Sequence, residues 1–489
     1  MHNWPDNDPR FKRYSIIFII SISALRLIYK SGLDLIPDEA YYYVWSLHPS
    51  LSYFDHPPAL AWVMTVMGSF IHSPEWVVNL SGFIFALFTS TFVWRLAAYV
   101  YNPKVAFWSL VILHFTLLFA AGSLLTTIDT PKLAFIAAAG CFSVRALDHN
   151  KQSDWVWTGL FFGLSLLAKY SAILFIAPLI IILFGRSEKR KFLYGPGPYV
   201  AAVLAGFVFL PVILWNAQNE WISFGFQWQH GLGGSKFPTL QYMDDYLGGQ
   251  LGLAGPILLG IIVFATVAVI RQWPDKKDKE IFLALQSAVP LIFFALTALQ
   301  KRVEPNWPAM AYLFAVPLAV GFTADRFTQQ RSWRRSWYIH ALVSATLILL
   351  LYIHTYFPLA QLRNDRTAEL RQWSAIVEQV KAIRTAYPQA RLAANHYQIA
   401  SQLIVYGEEE VSCLNIAHRR NQFHYWQDQQ QWLGDTFLLV DKEKRLYQDV
   451  REAFANIKVV AEIPFADSNI MGEERFLIYL AEGYKGHPK

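Results

Sequence analysis

The sequence predicts a polytopic α-helical membrane protein that ends in a small soluble α/β domain, and three observations carry that prediction. Hydrophobic residues fill 54% of the 489 positions and charged residues only 16%, whereas about a quarter of a soluble globular chain is charged. Apolar runs of about 15 to 20 residues recur along the chain, the length that crosses roughly 30 Å of hydrocarbon. Beyond residue 357 the character changes to a charged stretch whose apolar positions follow the periods of a soluble domain. The formal net charge of +6 is therefore no nucleic-acid footprint, and its distribution between loops carries the meaning. Cys141 in an apolar run and Cys413 in a distant polar region suggest no disulfide framework.

Arg10, Lys12 and Arg13 precede the first run, 14–33. No small-residue cleavage site follows it, so it reads as an uncleaved span and not as a signal peptide. Further runs at 76–99, 105–121, 133–147, 155–168, 170–185, 198–215, 251–270, 281–299, 307–322 and 338–356 bring the number of spans to eleven. Charge resolves two ambiguities. With 155–185 as a hairpin broken at Lys169-Tyr170 and 58–72 as an interfacial helix, the basic segments 10–13, 186–191, 271–279 and 326–335 all lie on the cytoplasmic side. The first loop, the 216–250 loop, the 300–306 turn and the C-terminus then lie outside.

Pro358 marks the boundary between a transmembrane part, 1–357, and an extracytoplasmic domain, 358–489. In the latter, Leu370, Trp373, Val377, Val380 and Ile383 outline an amphipathic helix, and 436–441, 457–463 and 475–480 read as short strands. No internal repeat or low-complexity tract interrupts the chain.

The chemistry concentrates in PDEAYYYVWSLHPSLSYFDHPPALAW (37–62), directly after the first span. It combines Asp38, Glu39 and Asp55 with His48, His56 and many aromatic residues. Adjacent carboxylates cannot both enter apolar surroundings without a partner or a proton, and the loop itself supplies no cation. Pro37 fits the first turn of a helix whose dipole favours Asp38 and Glu39 there, so capping is the plain alternative to chemistry. Capping leaves Asp55-His56-Pro57-Pro58 unexplained, where paired prolines fix the backbone beside an acid and an imidazole. Asp129, in TTIDTPK, lies on the same outer side; before Pro131 it also reads as a helix cap.

Cations form the complementary set. Lys169 sits at the turn of the hairpin near the outer interface, where a snorkelling lysine is the structural alternative. Lys301 and Arg302, in QKRVEPNWPA, are a dense basic turn on an otherwise cation-poor exterior. An outer cavity lined by these carboxylates and cations suits an anionic lipid headgroup beside a group that must lose a proton. The chain has no glycine-rich phosphate loop, and its Asp6-Asn7-Asp8 lies on the cytoplasmic N-terminus, so a nucleotide-sugar site on the working face is not indicated. A substrate used outside must arrive already activated, as a lipid-phosphate sugar does.

DEAYYYVWS with YFDHPPALAW resembles the first outer loop of the bacterial branch of the protein O-mannosyltransferase family, within the GT-C membrane glycosyltransferases that include the lipid A aminoarabinose transferases. LAKYSAILF (167–175), PVILWNAQNEWISFGFQWQHG (211–231) and KRVEPNWPAMAY (301–312) match the same branch in the same order, and NHYQIASQLIVYG (395–407) does so more loosely. The chain departs from the aminoarabinose transferases at Asp55-His56-Pro57, where they carry Glu-Lys-Pro. It departs also at the opening of the second span, where an arginine common in the family is replaced by Asn79 or lies elsewhere, at Arg95.

The resemblance implies a GT-C fold of about eleven spans in the bacterial inner membrane. It implies inverting transfer of a sugar from a polyprenyl-phosphate donor to a lipid, glycan or protein acceptor at the periplasmic face. Asp38 matches the catalytic acid and Glu39 its neighbour that helps to hold the acceptor. Asp55, His56, Asp129 and His230 fall to substrate binding, and Lys169, Lys301 and Arg302 to the donor phosphate. A divalent metal among Asp38, Asp55 and Asp129 stays open, since hard oxygen ligands suit magnesium or manganese. The rival class is a lipid or solute transporter or flippase; such proteins place charges at the midplane within inverted repeats, a pattern this sequence lacks.

Overall fold

The computed structural model describes residues 8–233, 238–273, 275–360, 362, 365–442, 448–464 and 475–486, except the side chains of His230 and Leu232. In chain order the helices are α1 (Arg10–Lys30), α2 (Pro37–Leu47), α3 (Ala59–Gly68), α4 (Pro74–Val100), α5 (Pro103–His114), α6 (Leu117–Gly122), α7 (Asp129–His149), α8 (Gln152–Leu166), α9 (Ile176–Gly185) and α10 (Ser187–Arg190). They continue with α11 (Gly197–Gln218), α12 (Ile222–Leu232), α13 (Met243–Ala254), α14 (Pro256–Arg271), α15 (Asp278–Ala298), α16 (Ala309–Gln329) and α17 (Arg331–Tyr356). After α18 (Trp373–Arg384), strands β1 (Arg391–Ala394), β2 (Ser412–Cys413), β3 (Phe437–Lys442), β4 (Phe454–Pro464) and β5 (Arg475–Tyr484) alternate with α19 (Tyr397–Gly407), α20 (Phe423–Trp426) and α21 (Gln448–Glu452).

All eleven apolar runs are helical. Among the described residues, α4, α11, α15 and α17 are long and apolar enough to cross a membrane. Six spans result if two bent pairs each count as one, the 170–194 helices (103°) and α13 with α14 (101°). The second bend falls at Gly255, whose φ of +82° is open to glycine and strained for other residues. The run at 105–121 is likewise broken, because Thr116 caps a new helix through the Phe119 N–H. The hairpin break expected at Lys169-Tyr170 is present: α8 ends at Leu166 and Lys169 is extended before a 3-10 helix, Tyr170–Phe175.

The chain forms two compact units. The first comprises Met1–Ile28, Ser50–Leu60 and Asn79–Leu349. Its central helix is α16, apolar and buried on every side from Ala309 to Val320, packed with Leu96, Ile136, Phe175 and Phe282. The outer helix α11 instead turns apolar side chains such as Val203 and Phe207 outward, the pattern of a surface that meets lipid. Arg26 is buried between helices and is answered locally: its Nη1–H donates to His114 Nδ1 (2.7 Å) and its Nη2–H to the His114 carbonyl (2.9 Å). With Nδ1 accepting, the imidazole proton is on Nε2, facing Ser90 Oγ at 3.0 Å.

Helices α8 and α11 meet at a small-residue seam. A Cβ at Gly159 would come within 2.7 Å of Ala201 Cα, and one at Gly163 within 3.0 Å of Ala205 Cα. Gly159 and Gly163 are four apart, so one face of α8 lets the backbones touch, the contact that drives association where apolar burial alone does not.

The second unit comprises Tyr29–Pro49, Ala61–Val78 and Leu350–Lys489. Its sheet has the order β2-β1-β3-β5-β4. β1 runs parallel to β2 and β3, while β5 is antiparallel to β3 and β4. Leu414, Ile416, Phe437, Leu439, Tyr479 and Tyr484 build its core. The three segments read as strands lie within β3, β4 and β5 or overlap them closely, whereas β1 and β2 are too short to leave a period-2 signal. Within the same unit, α2 is anchored by an ion pair. Glu39 is fully buried, and its Oε2 accepts from Lys30 Nζ at 2.9 Å and from the Ile36 N–H at 3.1 Å. The cation that the acidic loop itself lacks thus comes from the end of α1.

Two outcomes follow. Gly159→Val wedges α8 from α11 and should lower stability in detergent by about 1 to 3 kcal/mol, read as an earlier thermal transition; an unchanged transition would mean the seam is slack. Lys30→Met leaves a buried, unanswered Glu39 and should cost about 3 to 5 kcal/mol, most of it recovered in Lys30→Met/Glu39→Leu. Equal losses in the single and double variants would show that the pair is not what anchors α2.

Candidate functional site

In the first unit the site grows from the start of α7. Asp129 occupies the first turn, and the i, i+3 spacing sets Lys132 beside it. Lys132 is wholly buried and forms a hydrogen-bonded ion pair with Asp129 Oδ1. The other oxygen, Oδ2, accepts from Lys169 Nζ (2.9 Å) and from Asn306 Nδ2 (3.0 Å). Three segments far apart in sequence therefore converge on one carboxylate. Burial pushes that carboxyl up, but the two ammonium groups hold it well below the usual carboxylate range. Lys132 is drawn down to about 8, first by burial and also by Lys169, against the pull of Asp129. The group carries one more positive charge than negative and suits an anion.

Asp55 and His56 are placed by α12. That helix starts from an unusual turn in which Glu220 and Trp221 have φ of 55° and 58°, a left-handed pair that costs about 1 to 2 kcal/mol per residue. Buried Asn216 offsets it: its carbonyl accepts from the Trp221 N–H (2.8 Å) and its Oδ1 from the Phe224 N–H (3.3 Å). The turn brings Gln227 Nε2 to the Asp55 carbonyl (2.6 Å) and to His56 Nδ1 (3.4 Å). After Pro57 and Pro58, the Ala59 N–H donates to the Leu167 carbonyl (2.9 Å), two residues before Lys169. At the other end of α12 the Gln229 carbonyl accepts from Lys301 Nζ at 3.3 Å, and burial lowers the Lys301 pKa.

The predicted set is thus divided. Asp129 and Lys169 touch each other, Asp55 and His56 share Gln227, and Lys301 reaches α12. Arg302 is mostly exposed, 3.8 Å from Glu304, a surface pair of little energy. His230 lies on α12, but its side chain is outside the described residues. As for the metal left open among the aspartates, no group of three His, Cys, Asp or Glu among the described residues could hold one.

In the second unit Asp38 stands half-buried at the start of α2, and its Oδ1 accepts from Gln398 Nε2 at 2.9 Å. Gln398 belongs to the first turn of α19. Tyr41, one turn on, accepts from the Gln422 N–H (2.8 Å), and its ring lies 4.5 Å from that of Tyr397. Glu39 points the other way, to Lys30.

Sequence reasoning missed Lys132, Asn306, Gln227, Lys30 and Gln398. Lys132 had a signal, the i+3 spacing from Asp129, and Asn306 lies inside the quoted QKRVEPNWPA. Gln227 and Gln398 are ordinary polar residues whose partners are 172 and 360 positions away, beyond any local pattern.

A family model described as dolichyl-phosphate-mannose-protein mannosyltransferase matches residues 55–215, the stretch that holds Asp55, His56, Asp129, Lys132 and Lys169. The chain is 24% identical over 366 residues to the lipid A galacturonosyltransferase RgtD of Rhizobium johnstonii, covering 71% of this chain and 72% of the relative. Its fold is that of ArnT from Cupriavidus metallidurans. The apo structure superposes with a TM-score of 0.66 at 13% identity, over 95% of this chain and 97% of that one. The undecaprenyl phosphate complex gives 0.63 at 12% over the same shares. Family-model match, curated relative and fold point the same way: the chain is similar to membrane glycosyltransferases and has the fold of ArnT.

Proposed function

We propose that the protein transfers a sugar, with inversion, from a polyprenyl-phosphate donor to a lipid A, envelope-glycan or protein acceptor at the periplasmic face of the bacterial inner membrane. The observation that carries this reading is the surplus positive charge gathered on Asp129 by Lys132 and Lys169, a setting that favours a departing lipid phosphate. Two names are in accord with it: a relative that is a lipid A galacturonosyltransferase, and a fold neighbour crystallised with undecaprenyl phosphate.

On this reading Asp38 is the general base. An acceptor hydroxyl gives its proton to the Asp38 carboxylate as its oxygen attacks the anomeric carbon in line, and the bond from that carbon to the phosphate oxygen breaks. Gln398 holds Asp38 in position through its amide. Lys169 meets the charge that develops on the phosphate, with Lys132 behind it, and Lys301 lends a further cation. Asp55 and His56, set by Gln227 and the two prolines, border the substrate. Glu39 supports α2 through Lys30 and takes no proton.

The reading carries a topology: N-terminus inside, eleven spans within 1–357, and residues 358–489 outside. Reporter fusions after Arg190, Gly248, Lys277, Arg302 and Lys489 should report in, out, in, out and out. A cytoplasmic signal at Lys489 would sink it.

The reaction is tested by incubating the purified protein with labelled polyprenyl-phosphate sugar and total membrane lipids, with mass spectrometry of the products. On a hydroxyl acceptor, Asp38→Asn should lower turnover about a hundredfold to ten-thousandfold, whereas Lys169→Ala should raise the donor KM about tenfold to a hundredfold. Turnover within a few-fold of the parent in folded Asp38→Asn would remove Asp38 as the base. An unchanged donor KM in Lys169→Ala would leave that lysine a purely structural partner of Asp129.

A further inference from the structure

The second unit contains a cavity of about 480 Å³ that the proposed chemistry does not use, lined by Asn415, Ala417, His418, Arg420, His424 and Tyr425. It lies beyond the carboxyl ends of two parallel neighbours, since β1 ends at Ala394 and β2 at Cys413. Open α/β sheets bind their ligands in that crevice.

The lining loop is built, not draped. Asn415 and Ala417 take left-handed backbone conformations, φ 51° and 59°, which non-glycine residues hold only where the surroundings enforce them. Three buried asparagines do so. Asn395 exchanges hydrogen bonds with the Ile416 backbone (2.8 and 3.2 Å), Asn421 Nδ2 donates to Asn415 Oδ1 (2.8 Å), and Asn415 Nδ2 donates to the Arg419 carbonyl (2.9 Å). The effect is to present His418, Arg419, Arg420 and His424 from a fixed frame. None of the residues that line the cavity is acidic.

The loop is also coupled to the start of α19. The His418 and His396 rings are 5.0 Å apart, and the Arg419 guanidinium lies over the Tyr397 ring at 5.2 Å and donates to its hydroxyl at 3.3 Å. The next residue is Gln398, the partner of Asp38. The loop that lines the cavity is thus joined, through His418 and Arg419, to the two residues that precede the partner of the proposed base.

We infer that this cavity is a binding site for a phosphate monoester carried by the acceptor, with Arg420 as its charged contact and His418 and His424 beside it. The inference rests on the reading of Asp38 as the base, and it adds that the acceptor is recognised through an anionic group before transfer.

The test uses the full chain in nanodiscs. Inorganic phosphate is titrated calorimetrically, and sugar transfer is measured on an acceptor lipid before and after its phosphates are removed by phosphatase. Arg420→Gln, whose side chain is exposed, should weaken phosphate binding about tenfold and raise the KM for the phosphorylated acceptor by a similar factor at unchanged kcat. Arg420→Lys should restore part of both, and Arg475→Gln on β5 should alter neither. The phosphatase-treated acceptor should show the raised KM already and be indifferent to Arg420→Gln.

Equal phosphate affinity in parent and Arg420→Gln would overturn the site. Phosphate binding without any effect of phosphatase on KM would overturn the acceptor as its source and leave free phosphate as the ligand. Absence of sugar transfer by the parent would refute the enzymatic reading, while the phosphate titration would still decide the site.

Discussion

Asp129 is the point on which the polar cluster of the first unit depends. One carboxylate, at the first turn of α7, is held by Lys132 from its own helix, by Lys169 from the break after α8 and by Asn306 from the turn before α16. Each of these segments would otherwise present a lone polar group inside an apolar helical body, where an unanswered charge costs several kcal/mol. The arrangement is unequal by design: two ammonium groups share one carboxylate. A neutral pair would be the cheaper structural solution. The surplus charge therefore has its most economical explanation in a ligand of opposite sign, which is why the donor phosphate is assigned there in the proposed reaction.

The second unit solves the same physical problem in the reverse sense. Asp38 and Glu39 are adjacent acids on one short helix, and they are treated differently. Glu39 is buried and given a full charge partner, Lys30, whereas Asp38 is half-buried and given a neutral amide, Gln398. A carboxylate locked to a buried lysine is poorly suited to accept a proton, because protonation would strand the lysine's charge. A carboxylate held by an amide keeps its orientation without that obstacle. On the proposed reading, the division of labour between base and anchor follows from the partners and not from the two acids themselves.

How far the sequence reveals this depends on the range of each interaction. The eleven apolar runs, the break at Lys169-Tyr170 and the 37–62 loop are local patterns, and all were legible; the mannosyltransferase-like motifs also led to the GT-C fold. Helix breaks inside apolar runs, as at Thr116 and Gly255, were not, because hydropathy averages over them. Lys30 was hidden for a different reason: at the end of an apolar run it reads as an interfacial lysine, and only the structure turns it back onto Glu39. Gln398 and Gln227 were invisible because an amide becomes functional only through what it touches. The buried Arg26 belongs to the same class, since its partner His114 lies 88 positions away.

These ranges also bear on how acceptors diverge within such a fold. On the proposed reading, charge for the donor phosphate is supplied by residues within the stretch that a mannosyltransferase family model matches, 55–215, whereas the base, its amide and the His-Arg cavity lie outside that stretch. A donor phosphate is common to many lipid-linked sugars and imposes a constant demand for cations. Acceptors differ in charge and shape, and on the proposed reading the groups that answer them lie in the second unit, on α2, on α19 and in the loops beyond β1 and β2. On that reading, the residues that recognise the acceptor are to be sought from Asn395 to Tyr425.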